Sequence, residues 1–278
     1  MQFMLPAAIA ISQQVSAALA EDMGAGDLTA QLIAADKLAT AQVICRESAV
    51  LCGSAWFEAC FHHLHKDIKI EWLAHEGDGI TPNQKICELR GNARAILSGE
   101  RCALNFLQAL SATATLTRQY AEAIADTKAV VMDTRKTMPG LRLAQKYAVT
   151  VGGGANQRIG LFDGILIKEN HIAAAGSIEK ALAEAEKHNV PVQIEVESLE
   201  QLEIALRSGA TLILLDNFDL TGLRKAVALT GDRAQLEASG GITLANIRAV
   251  AETGVHRISV GSLTKDIRTV DFSMRIVV

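Results

Sequence analysis

The chain has 278 residues, of which 49% are hydrophobic and 21% charged, and its mean hydropathy is +0.20. This composition predicts a folded chain with one large domain or two ordinary ones, and it excludes intrinsic disorder. The formal net charge of −4 argues against the broad basic face that nucleic-acid binding needs, so nucleic acid is not an expected partner.

The cysteines and the apolar runs indicate the cellular compartment in which the protein is expected. The five cysteines form no C-x-x-C pair and are odd in number, which excludes a disulfide framework and a thiolate zinc site. No apolar run reaches the length of about 18 residues that a membrane-spanning helix needs. We therefore expect a protein of the reducing cytoplasm, with no membrane partner.

The first part of the chain mixes short elements of both types. A helix is predicted over residues 11–19, a turn-rich segment (EDMGAGDLT) over 21–29, and strands over 42–45 and 68–72. Ser98 is then a plausible N-cap of a long helix that runs to about residue 125, with an apolar stripe at Leu104, Leu107 and Leu110. Residues 1–110 are predicted to form an α+β sandwich-like domain.

The second part alternates short apolar runs with helical segments. The predicted strands cover residues 129–132, 165–167, 192–196, 212–215, 235–238 and 258–260. This alternation predicts a parallel sheet, and the short repeat favours an open α/β barrel of the TIM type over residues 111–278. The last few residues are expected to pack back on the first domain.

Two helix boundaries support the alternation. Ser198 and Gln201 have the spacing of a capping box, in a helix that leads to Gly209 as its C′ residue. Thr243 is predicted to cap a helix that ends at Gly254.

Polar residues follow each predicted barrel strand, where active sites of such barrels lie. These residues are Asp133, Thr134, Arg135 and Lys136 after the first strand, then Lys168, Glu197, Asp216, the Ser239-Gly240-Gly241 turn and the Gly261-Ser262 turn. Together they are expected to converge on one rim. Six suitable strand ends favour a functional site over solvated surface charges.

The residue types predict a site for an anionic substrate. Arg135, Lys136, Arg158 and Lys168 can bind carboxylates or phosphates. The glycine turns expose backbone N–H groups that suit a phosphate. Glu197 and Asp216 are candidate ligands of Mg²⁺, which binds through one or two carboxylates while keeping water and phosphate oxygens.

Other polar or glycine-rich segments are interpreted as structural features and not as functional sites. His62, His63 and His65 have no acidic or cysteine partner at ligand spacing and are expected on a wet helical face. The Gly152-Gly153-Gly154 run is a weak loop signal. His171 ends a strand-to-helix loop and could simply support it.

Several segments together resemble one enzyme family. They are EDMGAGDLT (21–29), SGERCALNFLQ (98–108), DTRKTMPGLR (133–142), KYAVTVGGGANQRIGLFDGILIKENHI (146–172), EVES (195–198), LLDN (214–217), ASGGI (238–242) and SVGSLTK (259–265). They resemble quinolinate phosphoribosyltransferases, the decarboxylating nicotinate-nucleotide pyrophosphorylases, over nearly the whole chain. Residues 133–172 carry the most specific match.

The resemblance implies a magnesium-dependent pentosyltransferase of NAD biosynthesis that joins quinolinate to phosphoribosyl pyrophosphate. It implies a homodimer with shared active sites, in which Arg101 reaches the partner's site, and it makes Lys136, Lys168, Glu197 and Asp216 catalytic. It implies substrate binding by Arg101, Thr134, Arg135, Lys136, Gln157, Arg158, Lys168, His171, Ser239, Gly240, Gly241, Val260, Gly261 and Ser262.

One position departs from the family pattern. Gln157 stands where the family commonly has histidine, so a proton-transferring or charged side chain is absent there. We expect its amide to orient the substrate by donating a hydrogen bond to a carboxylate.

Two other functions are compatible with parts of the pattern. A phosphate-binding barrel isomerase or synthase would share the late turns but would not need the four clustered cations. A non-catalytic metabolite-binding relative could keep the cations but has no reason to keep the paired carboxylates.

Overall fold

The computed structural model describes residues 4–277 and has twelve strands and ten α-helices in that range. The strands are β1 (Leu38–Cys45), β2 (Ala49–Val50), β3 (Lys69–Trp72), β4 (Gly79–Ile80), β5 (Lys85–Asn92), β6 (Val130–Met132), β7 (Ile165–Ile167), β8 (Val192–Val196), β9 (Leu212–Asp216), β10 (Gln235–Ser239), β11 (Arg257–Ser259) and β12 (Phe272–Val277). The helices are α1 (Ala8–Met23), α2 (Ser54–Leu64), α3 (Ala93–Ala123), α4 (Arg142–Val151), α5 (Glu169–Ala175), α6 (Ile178–Ala185), α7 (Leu199–Arg207), α8 (Leu220–Thr230), α9 (Ile247–Ala251) and α10 (Ser262–Lys265).

The chain divides into two compact units. Of the described residues, the first unit contains 4–116, 137–152 and 265–277, and the second contains 117–136 and 153–264. Helix α4 and strand β12 therefore belong to the first unit, although they follow the start of the second along the chain. Within residues 4–277, no helix is both long and apolar enough to cross a membrane.

The first unit is built on an antiparallel sheet with the strand order β12-β1-β5-β3. Alternate residues of β1 lie on its inner face, so Ala41, Val43 and Cys45 are fully buried. Helix α2 adds Trp56 to the same core, where its ring lies 5.6 Å from that of Tyr147. This α+β unit confirms the predicted class of the first domain.

The long helix begins earlier than predicted. It starts at Ala93, and the side-chain carbonyl of Asn92 accepts the N–H of Ala95 at 3.1 Å. Ser98, the predicted N-cap, lies inside the helix and donates its hydroxyl to Asp27 at 2.8 Å. The prediction was wrong because Asn92 supplies the cap, while the hydroxyl of Ser98 is taken by a tertiary partner, Asp27.

The second unit contains a six-stranded parallel sheet with the order β6-β11-β10-β9-β8-β7. Helices α5 to α9 connect the consecutive strands β7 to β11, as the alternation predicted, and the strands form an open α/β barrel. Because all six strands are parallel, their carboxyl ends lie at the same edge.

The helix caps of this unit test two predictions. The hydroxyl of Ser198 accepts the backbone N–H of Gln201, which confirms the N-cap of α7. The predicted capping box is incomplete, because the Gln201 side chain accepts the backbone N–H of Glu197 and not that of Ser198. Thr243 does not cap the next predicted helix. Helix α9 begins after Asn246, whose side chain accepts the N–H of Thr243 at 2.8 Å, and it ends at Ala251. A tight turn thus occupies the residues assigned to the first helical turn.

Candidate active site

A cavity of about 310 Å³ opens at the carboxyl edge of the parallel sheet. All of its lining residues belong to the second unit. They are Thr134, Arg135, Lys136, Gln157, Arg158, Leu166, Lys168, Glu195, Leu214, Asp216, Glu237, Ser239 and Ser259. Of the residues predicted for the site, the structure therefore brings Thr134, Arg135, Lys136, Gln157, Arg158, Lys168, Asp216 and Ser239 together.

Strand register explains why these side chains share the cavity. Glu195 of β8 and Glu237 of β10 are both paired with Leu214 of β9. Asp216 is paired with Ser239, two residues further along the same strands. Since alternate residues of a strand point to the same face, the inner positions of neighbouring strands form layers that lead to the carboxyl edge.

Four cationic side chains line the cavity. Arg135 and Lys136 follow β6, Arg158 lies in the loop before β7, and Lys168 follows β7. Burial lowers the pKa of Arg158, and the nearby charge of Arg135 lowers it further. Because the charges of Arg135 and Arg158 affect each other, this pair favours an anionic ligand between or beside the two guanidinium groups.

Lys168 is paired with a carboxylate of the next strand. Its Nζ lies 3.1 Å from Oε2 of Glu195, whose side chain is only 9% exposed. Burial raises the pKa of Glu195, against the opposing effect of the Lys168 ammonium. The backbone N–H of Lys168 donates to Nδ1 of His171 at 3.0 Å, so the start of α5 also fixes this residue.

Glu197, predicted as a catalytic and metal-binding residue, is replaced in the cavity by Glu195. Glu197 is exposed beyond the end of β8, its N–H donates to the Gln201 side chain at 2.8 Å, and it does not line the cavity. The cavity-lining carboxylates are Glu195, Asp216 and Glu237. A carboxylate inside a short parallel strand was the available signal for Glu195 and Glu237, because such a position is unfavourable without partners.

The Asp216 carboxylate is held by the residue that follows it. Asn217 donates its side-chain amide to Oδ2 of Asp216 at 2.8 Å, and its backbone N–H donates to the carbonyl of Ser239 at 2.9 Å. Asn217 has a positive φ of 57°, and Gly240 has a φ of 98°. A Cβ at Gly240 would collide with the Asn217 carboxamide, so the turn after β10 requires glycine.

Gln157 is oriented by buried polar residues. Its Nε2 lies 2.5 and 2.6 Å from the two oxygens of Glu237 and 3.1 Å from Oε1 of Gln193. Its backbone N–H donates to Oδ1 of Asp133 at 2.8 Å. The amide nitrogen that was expected to contact the substrate is thus engaged with protein groups, while the residue itself lines the cavity.

Other predicted site residues lie outside the cavity lining. Gly240, Gly241, Val260, Gly261 and Ser262 follow β10 and β11 at the carboxyl edge. His171 is exposed and supports the β7–α5 junction. Arg101 is exposed on α3 in the first unit.

No three or more His, Cys, Asp or Glu residues among residues 4–277 form a group suited to a metal ion. His62 and His63 lie on α2 and His65 directly follows it, and the Gly152-Gly153-Gly154 run follows α4.

Comparison with known proteins decides the family. Models of the N-terminal and C-terminal domains of quinolinate phosphoribosyl transferase match residues 27–111 and 113–275. The chain belongs to the quinolinate phosphoribosyltransferase family. The two family domains meet within α3, near residue 112.

Relatives from plants and bacteria match this chain over most of their own length. A chloroplastic nicotinate-nucleotide pyrophosphorylase [carboxylating] of Arabidopsis thaliana is 38% identical over 94% of this chain and 81% of its own. A mitochondrial quinolinate phosphoribosyltransferase [decarboxylating] of Nicotiana tabacum is 37% identical over 96% and 82%. The solved nicotinate-nucleotide pyrophosphorylase of Francisella tularensis is 45% identical, with a TM-score of 0.94 over 98% and 97% of the two chains.

Proposed function

We propose that this protein transfers the phosphoribosyl group of phosphoribosyl pyrophosphate to quinolinate, with decarboxylation, in NAD biosynthesis. The products are nicotinate mononucleotide, pyrophosphate and CO₂, which makes the protein a glycosyltransferase of the pentosyltransferase type. The observation that carries this proposal is the convergence of four cations with the carboxylates of Glu195 and Asp216 in one cavity of this family's fold; the cations are Arg135, Lys136, Arg158 and Lys168. Quinolinate and phosphoribosyl pyrophosphate are both polyanions that need such a cluster.

The proposed reaction has two chemical steps. In the transfer step, the ring nitrogen of quinolinate forms a bond to the anomeric carbon as the carbon–oxygen bond to pyrophosphate breaks. The cations hold both anions and offset the charge that develops on the leaving group. In the second step, the bond between the ring carbon next to the nitrogen and its carboxylate breaks and CO₂ leaves. The electron pair stays on that carbon, where the adjacent positive ring nitrogen stabilises it, and a proton then replaces CO₂.

Magnesium is the proposed cofactor. Glu195 and Asp216 lie on the neighbouring strands β8 and β9, and two carboxylates plus phosphate oxygens match the usual ligand set of Mg²⁺. When bound, magnesium would neutralise charge on the pyrophosphate group. Activity is expected to disappear in excess chelator and to return with added Mg²⁺, and full turnover after verified metal removal would contradict this cofactor.

A homodimer with shared active sites is the proposed assembly, supported by the family resemblance around Arg101. Arg101→Ala and Lys136→Ala subunits, each inactive alone, should together restore up to about a quarter of wild-type sites after random reassembly of a two-fold dimer. Absence of recovery after demonstrated subunit exchange would place Arg101 outside the partner's site. We also infer a cytoplasmic location, because all five cysteines are buried free thiols.

The decisive experiment incubates purified protein with quinolinate, phosphoribosyl pyrophosphate and Mg²⁺ and measures nicotinate mononucleotide and CO₂. We expect equal amounts of the two products and a strong preference for quinolinate over nicotinate, since a missing carboxylate leaves one of the clustered cavity cations without its anionic partner. Lys168→Met should abolish product formation, whereas Lys187→Met, at an exposed ion pair with Glu184, should not. No product from the wild-type protein, or equal kcat/KM for the two acids, would contradict the proposal.

A further inference from the structure

A buried polar cluster adjoins the cavity, and the proposed reaction does not use it directly. It consists of Gln157, Gln193 of β8, Glu237 of β10 and Ser259 of β11. Glu237 is 1% exposed, Ser259 6% and Gln193 7%. Burying a carboxylate this deeply is unfavourable unless hydrogen bonds compensate for the lost water.

Glu237 is the centre of this cluster. It accepts hydrogen bonds from Nε2 of Gln157 at 2.5 and 2.6 Å, from Nε2 of Gln193 at 3.0 Å, and from the hydroxyl of Ser259. These donors are all neutral, and within residues 4–277 no Lys or Arg forms an ion pair with Glu237. Hydrogen bonds from three side chains thus converge on one carboxyl group, which fixes the orientation of all three.

Gln157 is consequently fixed at two points. Glu237 holds its side chain, and the buried Asp133 carboxylate accepts its backbone N–H at 2.8 Å. The next residue in the chain is Arg158, which lines the cavity and donates from one guanidinium nitrogen to the carbonyl of Gly164 at 3.0 Å. Any rotation of the backbone at Gln157 would redirect Arg158.

We propose that Glu237 is a positioning residue that acts through Gln157 to fix Arg158 for binding the quinolinate carboxylate. The inference rests on the proposed function. It also explains how this chain can have glutamine at position 157, since a neutral amide gives Glu237 the same kind of donor that an imidazole N–H would.

The test compares Glu237→Gln, Gln157→Leu and their double variant by quinolinate Kd from calorimetry and by steady-state kinetics. Loss of a buried polar partner typically costs 1–3 kcal/mol, so each single variant should weaken quinolinate binding by about 5- to 150-fold. The KM for phosphoribosyl pyrophosphate and kcat should change by less than about threefold. The double variant should be no weaker than Gln157→Leu, because Glu237 acts through that residue.

Two further variants keep the test independent of folding. Gln157→His retains an N–H donor and should bind quinolinate within about threefold of wild type, even if Glu237→Gln proves unstable. Glu252→Gln, at an exposed ion pair with Arg248, is the matched control and should change nothing.

The outcomes separate the inference from the proposed function. Additive losses in the double variant, unchanged quinolinate binding by Gln157→Leu, or equal losses for Gln157→His and Gln157→Leu would overturn the positioning role alone. Wild-type protein that neither binds quinolinate nor forms nicotinate mononucleotide would overturn both.

Discussion

The Nζ atom of Lys168 lies 3.1 Å from Oε2 of Glu195, so a proposed anion-binding cation is paired with a proposed magnesium ligand. The Lys168 side chain is 45% exposed and that of Glu195 only 9%. Without substrate, the ion pair partly compensates the cost of burying the carboxylate. An anionic substrate that binds Lys168 would therefore take the place of Glu195 in this ion pair and leave the Glu195 carboxylate available to magnesium. Anion binding and magnesium binding would be linked in this way.

The first prediction distinguishes Glu195 from its neighbour. Glu195→Gln should lower kcat/KM by about 10- to 100-fold or more, as expected for loss of a ligand or of a group that orients one. Glu197→Gln should remain within about threefold of wild type because Glu197 is exposed and outside the cavity lining. Initial rates of both variants at saturating and limiting substrate check this, and the reverse order of sensitivity would restore Glu197 as the functional residue.

The second prediction concerns the turn after β10. Gly240→Ala should lower Tm and activity together, because its φ is 98° and the new Cβ would collide with the Asn217 carboxamide that holds Asp216. Gly241→Ala should cost only about 1–2 kcal/mol, since its φ of 60° lies in the left-handed region and no atom lies within 4 Å of the new Cβ. Thermal unfolding and turnover of the two variants check the difference. Equal effects would show that the contact with Asn217 is unimportant.

The third prediction concerns the loop that follows Arg158. The Asp163 carboxylate accepts the N–H groups of Ile159 at 2.7 Å and Gly160 at 2.8 Å. Asp163→Ala should release the loop and weaken quinolinate binding by about 5- to 150-fold, whereas Asp163→Asn keeps one acceptor and should lose less. Calorimetry with quinolinate measures the loss, and Asp36→Ala on an exposed segment is the control. Unchanged affinity in Asp163→Ala would assign the orientation of Arg158 to other contacts.

The fourth prediction is a pH dependence of stability. Burial lowers the pKa of His256 from its ordinary value of 6.5, with added effects of Lys128 and Arg257, and the neutral ring accepts the N–H of Leu236 at Nδ1. The unfolded chain therefore binds a proton more readily than the folded one. The neutral ring contributes fully to the free energy of unfolding above about pH 6.5. This contribution is lost as the pH falls through the pKa of His256 in the folded chain.

His256→Asn tests this assignment, because its Oδ1 can accept the same N–H without titrating. Between pH 7.5 and 5.5, the Tm of the wild type should fall by about 1–4 °C more than that of the variant. Parallel Tm curves over this range would assign the acid sensitivity of the fold to other groups.

The parallel sheet was accessible from the sequence because its strands are short apolar runs between turn signals. The predicted ranges of β7 and β8 coincide with the structure. Glu197 lies outside the cavity lining for a physical reason: side chains that alternate inward within a strand, such as Glu195, reach the cavity, and a search confined to the residue after each strand does not find them. Cap residues were harder, since Ser98 and Thr243 suit several local hydrogen-bond patterns and tertiary partners decide among them.

The pairing of β12 with β1 has a consequence for synthesis of the protein. Cys45 is paired with Phe272, so the first sheet to be translated cannot be completed until almost the whole chain has left the ribosome. All six strands of the parallel sheet lie between Val130 and Ser259 and become available earlier. The second unit, whose synthesis begins later, can therefore complete its sheet first. Until β12 has been synthesised, one edge of β1 is unpaired and is open to aggregation or to chaperones.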